Sequence, residues 1–302
     1  MKSKKLPLEK IRKLSWGEYF RLWKQTVIEF ASENSLFHGA ALSYYTVFAL
    51  VPIIYLSIVS FGKIIGQKTM VKIISGVLKD QVGIKDVQGI IDFLNQIDFE
   101  KSNVLLQTVG IIVLLVSATA MLASLKQSVN DFFDVERVIQ SKKKRFVAAV
   151  IDKLVHVGLL MTFGLIIVIV YFTETFMVSF GDRLFVGVEF IHYLATFCIQ
   201  NLAPLLTNFL IFYFIFRFLN DAIVPRKIAM GGALVTTFLL YIGQLLIKYY
   251  LLHYFFAKDA GIAGTLLILL TWVYYTSQII FFGAKFTMIY AKMVGQPLQV
   301  KP

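Results

Sequence analysis

Charge is scarce in this chain, and acid is scarcer than base. Asp, Glu, Lys and Arg make up only 16% of the 302 residues, against roughly 25% in a soluble globular protein. Cysteine is nearly absent: the single Cys198 excludes an intramolecular disulfide. Histidine is confined to His38, His156, His192 and His253, in four separate regions without ligand spacing. That pattern offers no local metal centre, and no metal or other cofactor is expected. There is no Gly-rich phosphate loop, no His-Glu-x-x-His, no His-x4-Asp and no nucleophile elbow, so the expectation is a protein that is not an enzyme. Strand-like segments, tandem repeats, inverted repeats and low-complexity tracts do not stand out. The first 36 residues are too polar for a cleavable signal peptide, which leaves the first apolar stretch as its own insertion signal.

What is present is apolar length. Six stretches, at 37–62, 104–125, 154–172, 191–219, 228–252 and 262–291, reach about 20 residues or more, enough for a helix to cross a hydrocarbon core of about 30 Å. The predicted fold is all-α, with six transmembrane helices and amphipathic surface helices. The division is a basic N-terminal segment (1–36), a membrane domain (37–294) with an external helical loop (63–103), and a short cytoplasmic tail (295–302). Net charge is +12, and with both termini inside, 21 of the 30 Lys and Arg fall in cytoplasmic pieces. The positive-inside rule therefore selects N-in, C-in with six spans.

Residues 1–36 carry Leu14, Tyr19, Phe20, Trp23, Val27 and Phe30 at helical spacing. They read either as an amphipathic helix with its cations toward anionic headgroups, or as a helix packed on the domain's own cytoplasmic loops. The loop 63–103 alternates apolar pairs with charges, the pattern of two amphipathic helices forming a cap, a gate or a partner site. The run Lys142–Arg145 sits at a membrane boundary and reads as topology and lipid contact. No aromatic platform accompanies it, so nucleic acid is not an expected partner. A tight turn is expected around Pro225.

Within the spans, small residues mark close helix contacts: Ala120 and Ser124, Gly231–Ala233, and Gly283 with Ala284. Polar residues there are costly unless partnered. Trp272, Tyr275, Gln278 and Lys285 share one helix face, as do Tyr241, Gln244 and Lys248, while Asn201 and Asn208 flank Pro204. These read either as interhelical hydrogen bonding, with Lys285 snorkelling to the interface, or as a polar groove that accepts an anionic headgroup. Asp152 and His156, four apart, read as a local ion pair or a proton relay.

Two stretches carry a family resemblance. One is HGAALSYYTVFALVPIIYLSI, from His38, containing Ala41, Tyr44 and Pro52. The other is GIAGTLLILLTWVYYTSQIIFFGAKFTMIYA, from Gly261, containing Gly264, Trp272, Tyr274 and Gly283. With SVNDFFDVE around Asn130, the chain resembles the YihY/BrkB family of bacterial inner-membrane proteins. It departs from the family pattern at Lys285, where an acidic residue usually follows Gly-Ala. The resemblance implies a polytopic protein of the inner (cytoplasmic) membrane. It also carries ribonuclease and virulence or serum-resistance labels and suggested links to lipid or envelope-glycolipid export. The leading expectation is a protein that transports or presents an anionic lipid or lipid-linked envelope component. The alternatives are a non-transporting scaffold that recruits envelope-assembly proteins and, third, a ribonuclease. Membrane lipids are the expected partners in the leading case.

Overall fold

A computed structural model of the chain describes residues 12, 14–49, 66, 68, 104–135, 202, 204–253 and 261–301. Almost all of the loop 63–103, the third apolar stretch, the run 142–145 and residues Pro52, Asp152, His156, Cys198 and Asn201 lie outside the described residues. In chain order the elements are α1 (Trp16–Ser32), α2 (residues 35–49), α3 (Val104–Phe132), α4 (Pro204–Leu219, widening to a π-helical turn over its last five residues), β1 (Ala222–Ile223), α5 (Arg226–His253), α6 (Gly261–Met293) and β2 (Gln299–Val300).

Helix α6 is the axis on which the other helices pack. Residues 283–289 are buried on every side of it, and α1, α3 and α5 all lie against it. Its apolar segment Leu266–Met293 and the segment Arg226–Ile247 of α5 are long and apolar enough to cross a membrane. The shorter of these, 22 residues, spans about 33 Å as a helix.

Close approach of α5 and α6 depends on a reciprocal arrangement of glycines and threonines. Thr287 of α6 sits over Gly232, and Thr236 of α5 sits over Gly283, so a Cβ at either glycine would collide with the facing threonine. Each threonine hydroxyl donates to the carbonyl of the glycine four residues before it on its own helix, Thr236 to Gly232 at 2.8 Å and Thr287 to Gly283 at 2.6 Å. Both hydroxyls are thereby satisfied while fully buried, and the two backbones can approach as small-residue contacts in membranes require.

Helix α3 presents Leu122, Leu125, Val129 and Phe132 as one buried stripe at helical spacing. Phe132 stacks on Phe281 of α6 at 5.1 Å. Helix α1 starts where Ser15 and Glu18 form a capping box: the Ser15 side chain accepts from the Glu18 N–H, and the Glu18 carboxylate accepts from the Ser15 N–H at 2.8 Å. That backbone hydrogen bond, with Arg12 at 2.5 Å, holds the Glu18 carboxyl below its ordinary value. Leu22 and Thr26 are buried, and Trp23 packs on Phe282 and Phe286 of α6. Trp16, Phe20 and Val27 stay exposed. Helix α1 therefore rests on α6 by one sector and keeps a second apolar sector open.

The described residues are mostly helical, as the all-α expectation has it, and the tail adds one short pairing. After α6, Gly295 takes φ +82°, which suits glycine, and reverses the chain. Gln299–Val300 then pairs antiparallel with Ala222–Ile223 in the turn before α5. A two-residue pairing is too short to produce an alternating pattern in sequence.

Candidate functional site

A cleft of about 480 Å³ lies between α2 and α3. Its walls are small or aromatic, Ala41, Ala120 and Ala123 with Phe37 and Tyr45, and its polar floor is His38, Ser124, Gln127 and Ser128. Ala120 and Ser124, read from the sequence as a close-contact face, instead line this open space. Their short side chains leave room because α2 does not close over them.

The floor is ordered by hydrogen bonds. Ser128 Oγ donates to the Ser124 carbonyl at 2.9 Å. Its one hydrogen is thus committed, so His38 Nδ1, 2.9 Å away, donates to Ser128 Oγ. His38 Nε2 faces Asp131 Oδ2 at 3.7 Å, beyond hydrogen-bond distance. The His38 ring packs edge-on against Phe132 and Phe281. These three side chains do not form a nucleophile relay. Ser128 gives its proton to a backbone carbonyl, its residue is 1% exposed, and the His–Asp separation is too long to orient the ring. Gln127 also lines the cleft and is exposed. The arrangement suits binding, with an apolar wall for chains and hydrogen-bonding groups for a polar head.

Below the cleft, α3 is tied to the turn before α5. Asn130 Nδ2 donates to Asp221 Oδ2 at 2.8 Å, the Asp221 N–H donates to Asn130 Oδ1 at 2.8 Å, and Lys126 pairs with Asp221 at 2.8 Å. Asn130, picked out by the family motif, is thus a structural clasp.

A second polar cluster sits where α1, α2, α3 and α6 meet. Lys285 is 1% exposed and pairs with Glu33, the residue that ends α1, and with Asp134 at 3.0 Å, just past α3. Lys292 adds a second contact to Asp134 at 3.1 Å. Asp134 reaches them from a left-handed backbone conformation, φ 54°, one that aspartate tolerates better than most residues. Burial raises the Glu33 carboxyl, and Lys285 offsets this only in part, so it stays above its ordinary value. Burial also raises Asp134, but Lys285 and Lys292 together outweigh it and hold that carboxyl low.

The residues picked from sequence scatter accordingly. Lys285 does not snorkel, because its ammonium is held by two carboxylates. Gln278 donates to the Ser35 carbonyl at 3.1 Å, fixing the start of α2 on α6. Tyr275 packs against Gly243 between α5 and α6, Gln244 is half-buried, and Tyr241 is 40% exposed on the outer side of α5. Trp272 Nε1 is buried and has no acceptor among the described residues. Asn208 is half-buried in α4, and the side chain of Lys248 is not described. Of the motif positions, Ala41 lines the cleft, Tyr44 is exposed, Tyr274 packs near Gly39, and Gly264 and Gly283 are buried. Gly261 opens α6. Among the described residues, Tyr275, Gln278 and Lys285 serve contacts of α6 with α5, the start of α2, and the residues at the ends of α1 and α3. Sequence reasoning missed the roles of Glu33, Asp134, Gln127 and Ser128. Glu33 and Asp134 carried a usable signal: each is an acid at the C-terminal end of a helix, and the chain buries a lysine that needs a counter-charge.

Among the described residues, no three His, Cys, Asp or Glu side chains converge as metal ligands do. A family model described as Virulence factor BrkB matches residues 26–301. Comparison with curated proteins and with solved structures finds no match.

Proposed function

The chain belongs to the Virulence factor BrkB family, and from that premise we propose that this integral membrane protein transports or presents a lipid or lipid-linked envelope component, with the headgroup held in the α2–α3 cleft. The observation that carries the reading is the cleft itself: about 480 Å³, walled by alanines and aromatic rings and floored by His38, Gln127 and the two serines. One apolar side and one hydrogen-bonding side are what an amphiphile needs. The basic balance of the chain, +12 overall, favours an anionic amphiphile.

In this reading the protein lies in the inner membrane, crosses it six times and keeps both termini in the cytoplasm. The lengths of the six apolar stretches and the weighting of Lys and Arg toward the N-terminal side of the membrane support it. Transport or presentation needs no covalent chemistry of the chain, and the hydrogen bonding at Ser128 and His38 suits a binding surface.

The test is native mass spectrometry of lipids retained by the purified protein in nanodiscs made with native lipid. Wild type should hold a defined lipid that Gln127→Leu and His38→Leu release. Bulk lipid in all three samples would overturn the cleft reading and favour a scaffold that recruits envelope-assembly proteins.

A further inference from the structure

The short connection between α1 and α2 is held to α6 by two side-chain ties. Lys285 grips the Glu33 carboxylate, and Gln278 donates to the Ser35 carbonyl. Between them the backbone is tightly folded: the Glu33 N–H donates to the Phe30 carbonyl, and the Ser35 N–H donates to the Glu33 carbonyl at 2.8 Å. Two residues further on, Phe37 forms part of the cleft's wall, and His38 beside it part of the floor. The position of that wall therefore depends on whether Glu33 stays on Lys285.

The four charges at this junction are not equivalent. Asp134 is held by two cations, Lys285 and Lys292. Glu33 has Lys285 as its cation and faces like charge from Asp134 and from Glu29 on its own helix. Lys285 is sealed from water, whereas the Glu33 side chain is 26% exposed, so a proton can reach Glu33 from solvent. Protonation there removes one negative charge and leaves Asp134 as the carboxylate shared by Lys285 and Lys292. A proton arriving at Asp134 would have to displace two cations. Among the described residues, α2 and α3 also carry the His38–Asp131 pair, 3.7 Å apart.

We infer that Glu33 is a proton-binding site, and that taking up a proton releases the α1–α2 connection from Lys285 and opens the α2–α3 cleft. Burial of the Glu33 carboxyl, which raises it above its ordinary value, is consistent with this role. The ligand is a proton from the aqueous phase, and no bond other than the carboxyl O–H is made. The inference rests on the cleft being the lipid site, but its test reads the motion alone.

The experiment uses the full chain with Cys198→Ser and spin labels at Tyr44→Cys on α2 and Val116→Cys on α3, both exposed, in nanodiscs of phosphatidylethanolamine and phosphatidylglycerol. The label separation should lengthen as pH falls from neutral through the carboxylate range, in which burial places the Glu33 carboxyl above its ordinary value. Glu33→Gln should show the longer separation at both ends of that range, and Glu33→Asp should restore the response. A wild-type separation that ignores pH overturns the proposal. So does a pH response that survives in Glu33→Gln. Folding of each variant is checked by circular dichroism, and the Asp variant keeps the test decisive if Gln does not fold. If the motion follows Glu33 but no lipid is lost from the cleft variants, the proton site stands and the lipid reading falls.

Discussion

Replacing Lys285 by methionine should destabilise the protein by about 2–3 kcal/mol at neutral pH. The side chain is 1% exposed and holds two carboxylates, so its removal leaves Glu33 and Asp134 facing each other without their shared cation. Breaking a fully buried pair costs about 3–5 kcal/mol. Here the partners keep 26% and 47% of their side chains open to water, and Lys292 still reaches Asp134, so screening lowers the figure. The assay is reversible unfolding in mixed detergent micelles, followed by helical circular dichroism, across pH.

The direction of the pH dependence follows from the two carboxyls. In wild type Asp134 lies below its ordinary value of 3.8, so its contribution is present above that value and is lost as pH falls through the lower folded value. Glu33 lies above 4.5, so its charge opposes folding at neutral pH, and that cost is relieved as pH falls through its raised folded value. In Lys285→Met both carboxyls lose a cation and move up, so the variant should gain on wild type as pH falls through the carboxylate range. A loss under about 0.5 kcal/mol, the scatter of ordinary surface substitutions, would refute the reasoning. So would a deficit that stays constant on acidification.

Three further outcomes are expected. Gln127→Leu should weaken retention of the bound lipid about 5-fold, the equivalent of one hydrogen bond of about 1 kcal/mol, measured by lipid titration in native mass spectrometry, with unfolding unchanged. Gly283→Val should cost about 1–3 kcal/mol by driving a branched side chain into Thr236, and Thr236→Ala in the same chain should recover part of that loss in the unfolding assay. Asn130→Leu should cost about 1–3 kcal/mol, because it strips partners from the Asp221 N–H and carboxylate; unfolding monitored by tryptophan fluorescence reads it.

Much of the helical framework is legible in the chain, because a bilayer-length apolar run leaves few alternatives. The expected spans 228–252 and 262–291 lie within one or two residues of α5 and α6. The Gly231–Ala233 and Gly283 signals mark where those helices meet, since a missing side chain is visible in sequence and its consequence is local. Pro225 does precede the first turn of α5. Helix α1 was readable from its apolar spacing, and its start was written in Ser15 and Glu18, three apart. The site was less legible. Shared helix face placed Gln278 and Lys285 together, but their partners, Ser35, Glu33 and Asp134, lie 151 or more residues away in sequence or in the short connections that periodicity ignores. Ala120 and Ser124 show the converse: small residues permit contact and also permit space, and only the packing of α2 decides between them.

The central claim is that a lipid headgroup occupies the α2–α3 cleft, and photocrosslinking tests it most directly. The full-length protein in native-lipid nanodiscs would be exposed to phosphatidylglycerol carrying a diazirine next to the headgroup, and the adducts mapped by peptide mass spectrometry. The account predicts adducts concentrated on residues 37–45 and 120–128, which supply the cleft, and lost with excess unlabelled lipid. Adducts spread evenly over the exposed faces of α5 and α6, with no enrichment at the cleft and no competition, would contradict it.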